Sequence, residues 1–128
     1  MVIDTSCLAA IFFKEPEREP FLNKIGAADS MQISAATVLE SGIVIESRLG
    51  EIGRSELDWF LAIHQIQITP VDAELVEIAR RAWRKYGKGN HPAALNFGDC
   101  FSYALAKISG EPLLAKGTDF QQTDLELC

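Results

Sequence analysis

The chain has 128 residues, 48% of them hydrophobic and 23% charged, a make-up that excludes a disordered chain and matches a globular domain. The length fits a single domain over residues 1–128 and leaves no room for two independent cores. Eighteen acidic against 12 basic residues give a net charge of -6, the opposite of a broad nucleic-acid-binding surface. No apolar run approaches the roughly 20 residues of a membrane-spanning helix, and Asp4 interrupts the apolar start. Neither anchor nor signal peptide is expected, and the cytoplasm is the expected compartment. Cys7, Cys100 and Cys128 show no C-x-x-C spacing, which argues against a disulfide framework and a structural zinc site.

In chain order, residues 1–5 read as a short apolar strand ending in Asp4, and Ser6 offers an N-cap for a helix over 7–14. The segment 15–20, with two prolines, breaks that helix, and 21–25 continues as a short helical piece closed by Gly26. Residues 31–34 form a second strand. Thr37 opens a helix to Leu49 that stops at Gly50, and Ser55 opens another through Trp59, Phe60 and Ile63. Ile66 and Ile68 alternate with polar residues before Pro70, a third strand. Asp72 caps a helix with Leu75, Ile78, Ala79, Ala82, Trp83 and Tyr86 on one side, ending at Gly87. A loop over 87–95, with His91 solvated, leads to a helix from Asn96 to Gly110. Residues 112–115 form a fourth strand, 116–119 a turn, and 125–127 a fifth, edge strand. Strands alternating with helices imply βαβ units and a mostly parallel sheet covered on both faces.

The chain has no G-x-x-x-x-G-K-[ST], no G-x-G-x-x-G and no G-x-S-x-G, so phosphate-cradling loops and a serine nucleophile lack support. What it offers is acids at strand ends. Asp4 ends the first strand, Glu40 and Asp99 lie in early helical turns, and Asp119 follows the fourth strand. In an open parallel sheet such positions converge beyond the carboxyl ends of the strands. Four acids there repel one another, and magnesium or manganese suits a carboxylate and water ligand set, which points to phosphodiester hydrolysis. Each acid also has a local reading. Glu40 can close a capping box with Thr37, Asp99 can do so with Asn96, and Asp119 can be an ordinary turn residue. Asp4 resists such a reading, because an ionised carboxylate inside an apolar strand costs several kcal/mol unless paired.

The segments Val2-Ile3-Asp4-Thr5-Ser6, residues 33–40 (ISAATVLE), 96–106 (NFGDCFSYALA) and 113–120 (LLAKGTDF) resemble PIN-domain proteins. They are most similar to the VapC ribonuclease toxins of bacterial toxin–antitoxin pairs. The resemblance implies a three-layer α/β/α fold with four to five strands and magnesium- or manganese-dependent endoribonuclease activity. It also implies a cognate antitoxin whose C-terminal segment occupies the active groove. By position, Asp4, Glu40, Asp99 and Asp119 match the catalytic and metal-binding acids, and Thr5, Ser6 and Thr118 match supporting polar residues. Asp124 matches an often acidic position and ranks below the four.

One strip departs from the acidic balance. Residues 80–91 carry Arg80, Arg81, Arg84, Lys85 and Lys88 and no acid, and are candidates for contact with RNA phosphates. The helices over 38–49 and 56–64 hold more apolar residues than one buried stripe uses, which suggests a groove for an antitoxin helix or a homodimer face. Two other readings remain, a receiver-like magnesium-binding phosphoacceptor domain and a non-catalytic binding module on the same fold. The first needs paired acids after strand one, where Asp4 stands alone.

Overall fold

A computed structural model describes residues 1–128. Its elements run β1 (Val2–Ile3), α1 (Thr5–Phe12), α2 (Arg18–Ala27), β2 (Gln32–Ser34), α3 (Ala35–Ile63), β3 (Gln67–Thr69), α4 (Ala73–Tyr86), α5 (Phe97–Ser109) and β4 (Leu113–Leu114). A single 3-10 turn, Phe120–Gln122, follows. The four strands form one parallel sheet in the order β3-β2-β1-β4, with Val2 opposite both Gln32 and Leu113 and Ile33 opposite Ile68. The expected fifth strand is reduced to one parallel bridge between Leu113 and Leu127.

Successive strand residues point to opposite faces, and both faces are buried. Val2 and Leu113 face a core with Leu75, Tyr86, Tyr103 and Leu105, under α4 and α5. Ile3, Ile33 and Leu114 face the other, with Leu8, Ile11, Ile25, Ile45 and Leu57, under α1, α2 and α3. This gives three layers, α/β/α. Strands β2 and β3 lie to one side of β1 and β4 to the other, so the direction of winding switches between β1 and β4. Beyond the carboxyl ends of those two strands is where an open α/β sheet leaves a crevice.

Several local expectations change. Asp4, not Ser6, caps α1, its side chain accepting from the Ser6 N–H. Helix α2 starts at Arg18, because Pro20 falls in its first turn, where a missing N–H costs nothing. Ser34 caps α3 in place of Thr37, which lies inside the helix and is buried. Within α3 two helices meet at a kink at Gly50, whose φ of 64° and ψ of -151° favour glycine, so the first helix stops there as expected while the second begins directly after it instead of at Ser55. Asp72, Asn96 and the left-handed Gly110 cap as expected. His91 is not a free loop residue: its Nδ1 accepts from the Ala93 N–H, and its ring meets the Tyr86 ring edge-on at 5.0 Å.

Asp124 ties the C-terminal segment to α5, accepting from the Tyr103 hydroxyl at 2.7 Å and the Lys107 ammonium at 2.9 Å. Desolvation pushes this carboxyl up, but the hydrogen bonds from Tyr103 and Lys107 and the Lys107 charge outweigh it and hold it at about 2. Its contribution to stability is therefore present above the ordinary 3.8 and is lost as pH falls through about 2. Asp124→Asn is expected to destabilise the protein by about 1 kcal/mol at neutral pH, since the site is partly exposed, and by less in strong acid. Parallel thermal melts at the two pH values check this, and an equal loss at both would refute it.

Candidate active site

Asp4 sits where β1 ends, its backbone N–H still donating to Leu114 O at 3.1 Å across the sheet. Its side chain is only 3% exposed, a costly place for a charge, and hydroxyl and amide donors offset that cost. Oδ2 accepts from the Ser6 N–H at 2.9 Å and the Ser6 hydroxyl at 2.6 Å, and Oδ1 accepts from the Ser102 hydroxyl at 2.6 Å. The Ser6 Oγ in turn accepts from the Lys116 N–H at 2.9 Å, joining the loop after β4 to the start of α1.

Glu40 forms no capping box, because the cap of α3 lies at Ser34. It accepts instead from the Thr5 hydroxyl, whose oxygen accepts from Ser41 Oγ at 3.2 Å. The carboxylate lies against the start of α5. A Cβ on Gly98 would stand 1.9 Å from Glu40 Oε2, so the glycine makes room for the acid. Asp99 does complete a capping box, its Oδ2 accepting from the Asn96 N–H at 3.0 Å while Asn96 Oδ1 accepts from the Asp99 N–H at 2.9 Å. Asp119 is exposed at the start of the 3-10 turn and makes no capping hydrogen bond, and the next residue, Phe120, is buried and anchors it. Thr118, beside it, is also exposed.

The four acids share one electrostatic neighbourhood. Burial pushes the Asp99 carboxyl up from 3.8 to about 6, the Asn96 hydrogen bond opposes this, and the charges of Asp4, Asp119 and Glu40 each push it further up. None of the four pairs with a lysine or arginine. Lys116, which follows β4, spends its charge on Glu15 and, at 3.3 Å, on Glu17. The side chains nevertheless stand apart, and no three of them form a ready-made ligand set. Like charges reduce their repulsion by separating, and each carboxylate except Asp119 is held by a neutral donor of its own. An all-oxygen, uncompensated cluster of this kind suits a hard divalent cation. Asp124 lies outside it, bound to Tyr103 and Lys107.

The cations of the basic strip differ in what they touch. Arg80, Arg81 and Arg84 surround Glu77 at 3.6, 3.3 and 3.7 Å, Lys85 lies over the Tyr86 ring, and Lys88 is exposed past the end of α4. Sequence reasoning missed Ser102 and Gly98. A buried serine on the apolar face of α5 is a readable signal, since its hydroxyl needs a partner. Gly98 carries none, because its role depends on a side chain far away in sequence.

The winding switch and the uncompensated acids define the class, an α/β/α domain with acids gathered beyond the carboxyl ends of the strands. Residues 1–126 match the family model described as PIN domain. Ribonuclease VapC30 of Mycobacterium tuberculosis is 51% identical over 125 residues, covering 98% of this chain and 95% of that protein. The crystal structure of Mycobacterium tuberculosis VapC20, a sarcin-ricin loop cleaving toxin, superposes with a TM-score of 0.79 at 17% identity over 97% of this chain and 95% of its own. VapBC2 from Rickettsia felis, crystallised on a DNA fragment from its promoter, gives 0.73 at 17% identity over 99% and 96%. The chain belongs to the PIN-domain family and, within it, to the VapC-type proteins.

A carboxyl raised in the folded state favours folding when protonated, so the Asp99 contribution is complete below 3.8 and is lost as pH rises through about 6. Asp99→Asn, which keeps an oxygen for the cap, is expected to raise the melting temperature in EDTA above that pH by the equivalent of about 1 kcal/mol, allowing for solvent screening. Below the ordinary carboxyl range the two proteins should melt alike. A variant that melts lower throughout would show that Asp99 serves the cap alone.

Proposed function

We propose that this chain hydrolyses RNA phosphodiester bonds as a magnesium- or manganese-dependent endoribonuclease, and that it is the toxin of a toxin–antitoxin pair. The observation that carries the reading is the Asp99 carboxyl, raised by burial and by the charges of Asp4, Asp119 and Glu40, with no cationic partner for any of the four at the winding switch of the sheet. Asp4, Glu40, Asp99 and Asp119 would hold the cation, which when bound supplies the positive charge that activates water and neutralises the scissile phosphate. The remaining contribution comes from the chain itself. Ser6 and Ser102 fix both oxygens of Asp4, Thr5 orients Glu40, and the Asn96 N–H orients Asp99. Asp119 is left free to turn toward the others, with Thr118 as a neighbouring polar group. No protein nucleophile is needed.

The antitoxin reading rests on α3, which exposes Leu39 and Ile43 in its first half and Ile52, Trp59 and Ile63 in its second. Exposed apolar side chains on both helical segments of α3 suit contact with the apolar face of a partner helix. A structural neighbour of this chain is itself a VapBC assembly.

Cleavage of a mixed RNA pool with magnesium and with EDTA tests the enzyme. Asp4→Asn is expected to lower the rate by orders of magnitude, and full activity in EDTA would overturn the proposal. Gly98→Ala keeps all four acids but drives a methyl group into the space of Glu40 Oε2. It should cut the rate about 10-fold or more while changing stability little, because the displaced atom ends a flexible side chain. Unchanged turnover in that variant would show that the position of Glu40 is immaterial.

A further inference from the structure

Leu114 is fixed by the sheet and Phe120 by burial, and residues 115–119 span the gap between them. Gly117, at φ 93°, lets the chain turn there at the cost of stiffness. Thr118 and Asp119 make only the local bonds of the 3-10 turn, their carbonyls accepting from the Gln121 and Gln122 N–H groups. Within 115–119, only Lys116 hydrogen-bonds to another part of the chain. Its backbone N–H donates to Ser6 Oγ at 2.9 Å, and the Ser6 hydroxyl donates on to Asp4 Oδ2 at 2.6 Å. Its ammonium pairs with Glu15 and, at 3.3 Å, with Glu17.

The two glutamates stand on a firmer segment. The Glu15 N–H donates to Ala10 O at 2.9 Å, the Arg18 N–H to Glu15 O at 3.0 Å and the Phe21 N–H to Glu17 O at 3.0 Å, which ties the segment to both α1 and α2. The Arg18 guanidinium adds a bond to Ile11 O, and Pro16, between the glutamates, has its φ fixed by its ring. An exposed ion pair contributes little, but this one is partly shielded. Glu17 Oε2 is sealed from water and makes no hydrogen bond, so the Lys116 charge is what compensates it.

We infer that Lys116 is a positioning residue for the acidic site: clamped by Glu15 and Glu17, it fixes the turn that carries Asp119, the one acid of the four without a donor of its own. This role rests on the reading of the four acids as a cation site and adds to it what holds the fourth. A ligand already held in place takes up a cation without the entropy cost of ordering its turn. A bare charge effect has the opposite sign, because an ammonium near the site repels a divalent cation and its removal would strengthen binding.

The test titrates the full chain with manganese alone, following loss of the free-ion paramagnetic resonance signal. Lys116→Met keeps most of the side-chain stem and Lys116→Gln supplies a second uncharged side chain, while melting in EDTA verifies that each variant is folded. Both are expected to weaken manganese binding about 10-fold, the scale of losing a group that orients a metal ligand, and Lys116→Arg should restore most of it. In an Asp119→Asn background Lys116→Met should change binding less than about twofold, since the ligand it positions is gone. In magnesium, Lys116→Met should lower kcat for RNA cleavage and leave KM unchanged. Equal or tighter manganese binding by the uncharged variants overturns the inference, as does a loss of the same size in the Asp119→Asn background. A raised KM with manganese binding intact also overturns it, since Lys116 then contacts RNA directly. These outcomes remove the clamp alone, whereas a parent that binds no manganese removes the cation reading and the clamp with it.

Discussion

The hydrogen bond from Ser102 to Asp4 joins the two residues on which the arrangement of the acids depends. It spans most of the chain and draws the start of α5 to the end of β1, at the point where the sheet changes its direction of winding. A carboxylate buried to this extent is tolerated only with its oxygens occupied, so the fold must deliver Ser6 from one side and Ser102 from the other. Delivering Ser102 also delivers what precedes it on the same helix. Gly98 arrives beside Glu40, and Asp99 arrives within the field of the other acids. The burial of one charge thus sets the positions of three more.

Electrostatic strain and local satisfaction balance in this cluster. Each of Asp4, Glu40 and Asp99 has its own neutral donors, which occupy carboxylate oxygens without adding a positive charge. The nearby lysine is committed to the loop between α1 and α2. A cationic partner from the protein would have made the crevice more comfortable and less receptive. Charge elsewhere is handled differently: the arginines of α4 crowd around Glu77, and their excess is left facing solvent.

Much of the fold was legible because its signals are local. The alternation of strands and helices, the Asp72 cap, the Asn96–Asp99 box and the Gly110 terminus each depend on a few adjacent residues. The misreadings share one cause. Thr37-x-x-Glu40 has the pattern of a capping box, but the helix had already begun at Ala35, capped by Ser34, which freed Glu40 to reach Thr5. Gly50 does end the first helix, and only the start of the second moved, since helix resumes directly after Gly50 instead of at Ser55. The 125–127 strand is reduced to a bridge at Leu127, and Asp124 just before it is bound to Tyr103 and Lys107 on α5. The four acids were readable as a set, whereas Gly98 and Ser102 acquire their meaning only from distant partners.

The strands are two or three residues long, so the sheet presents almost no backbone to a stranger. Even the outer strand β3, with Ile68 49% exposed, offers too short a row of free amides to recruit another strand. The apolar surface of this molecule is carried instead by helices whose own peptide groups are already satisfied. Adhesion through such surfaces depends on side-chain shape and can be undone, whereas edge-to-edge growth is self-propagating. A chain that carries Ile52, Trp59 and Phe97 in contact with water is thereby steered toward reversible partners and away from fibrils.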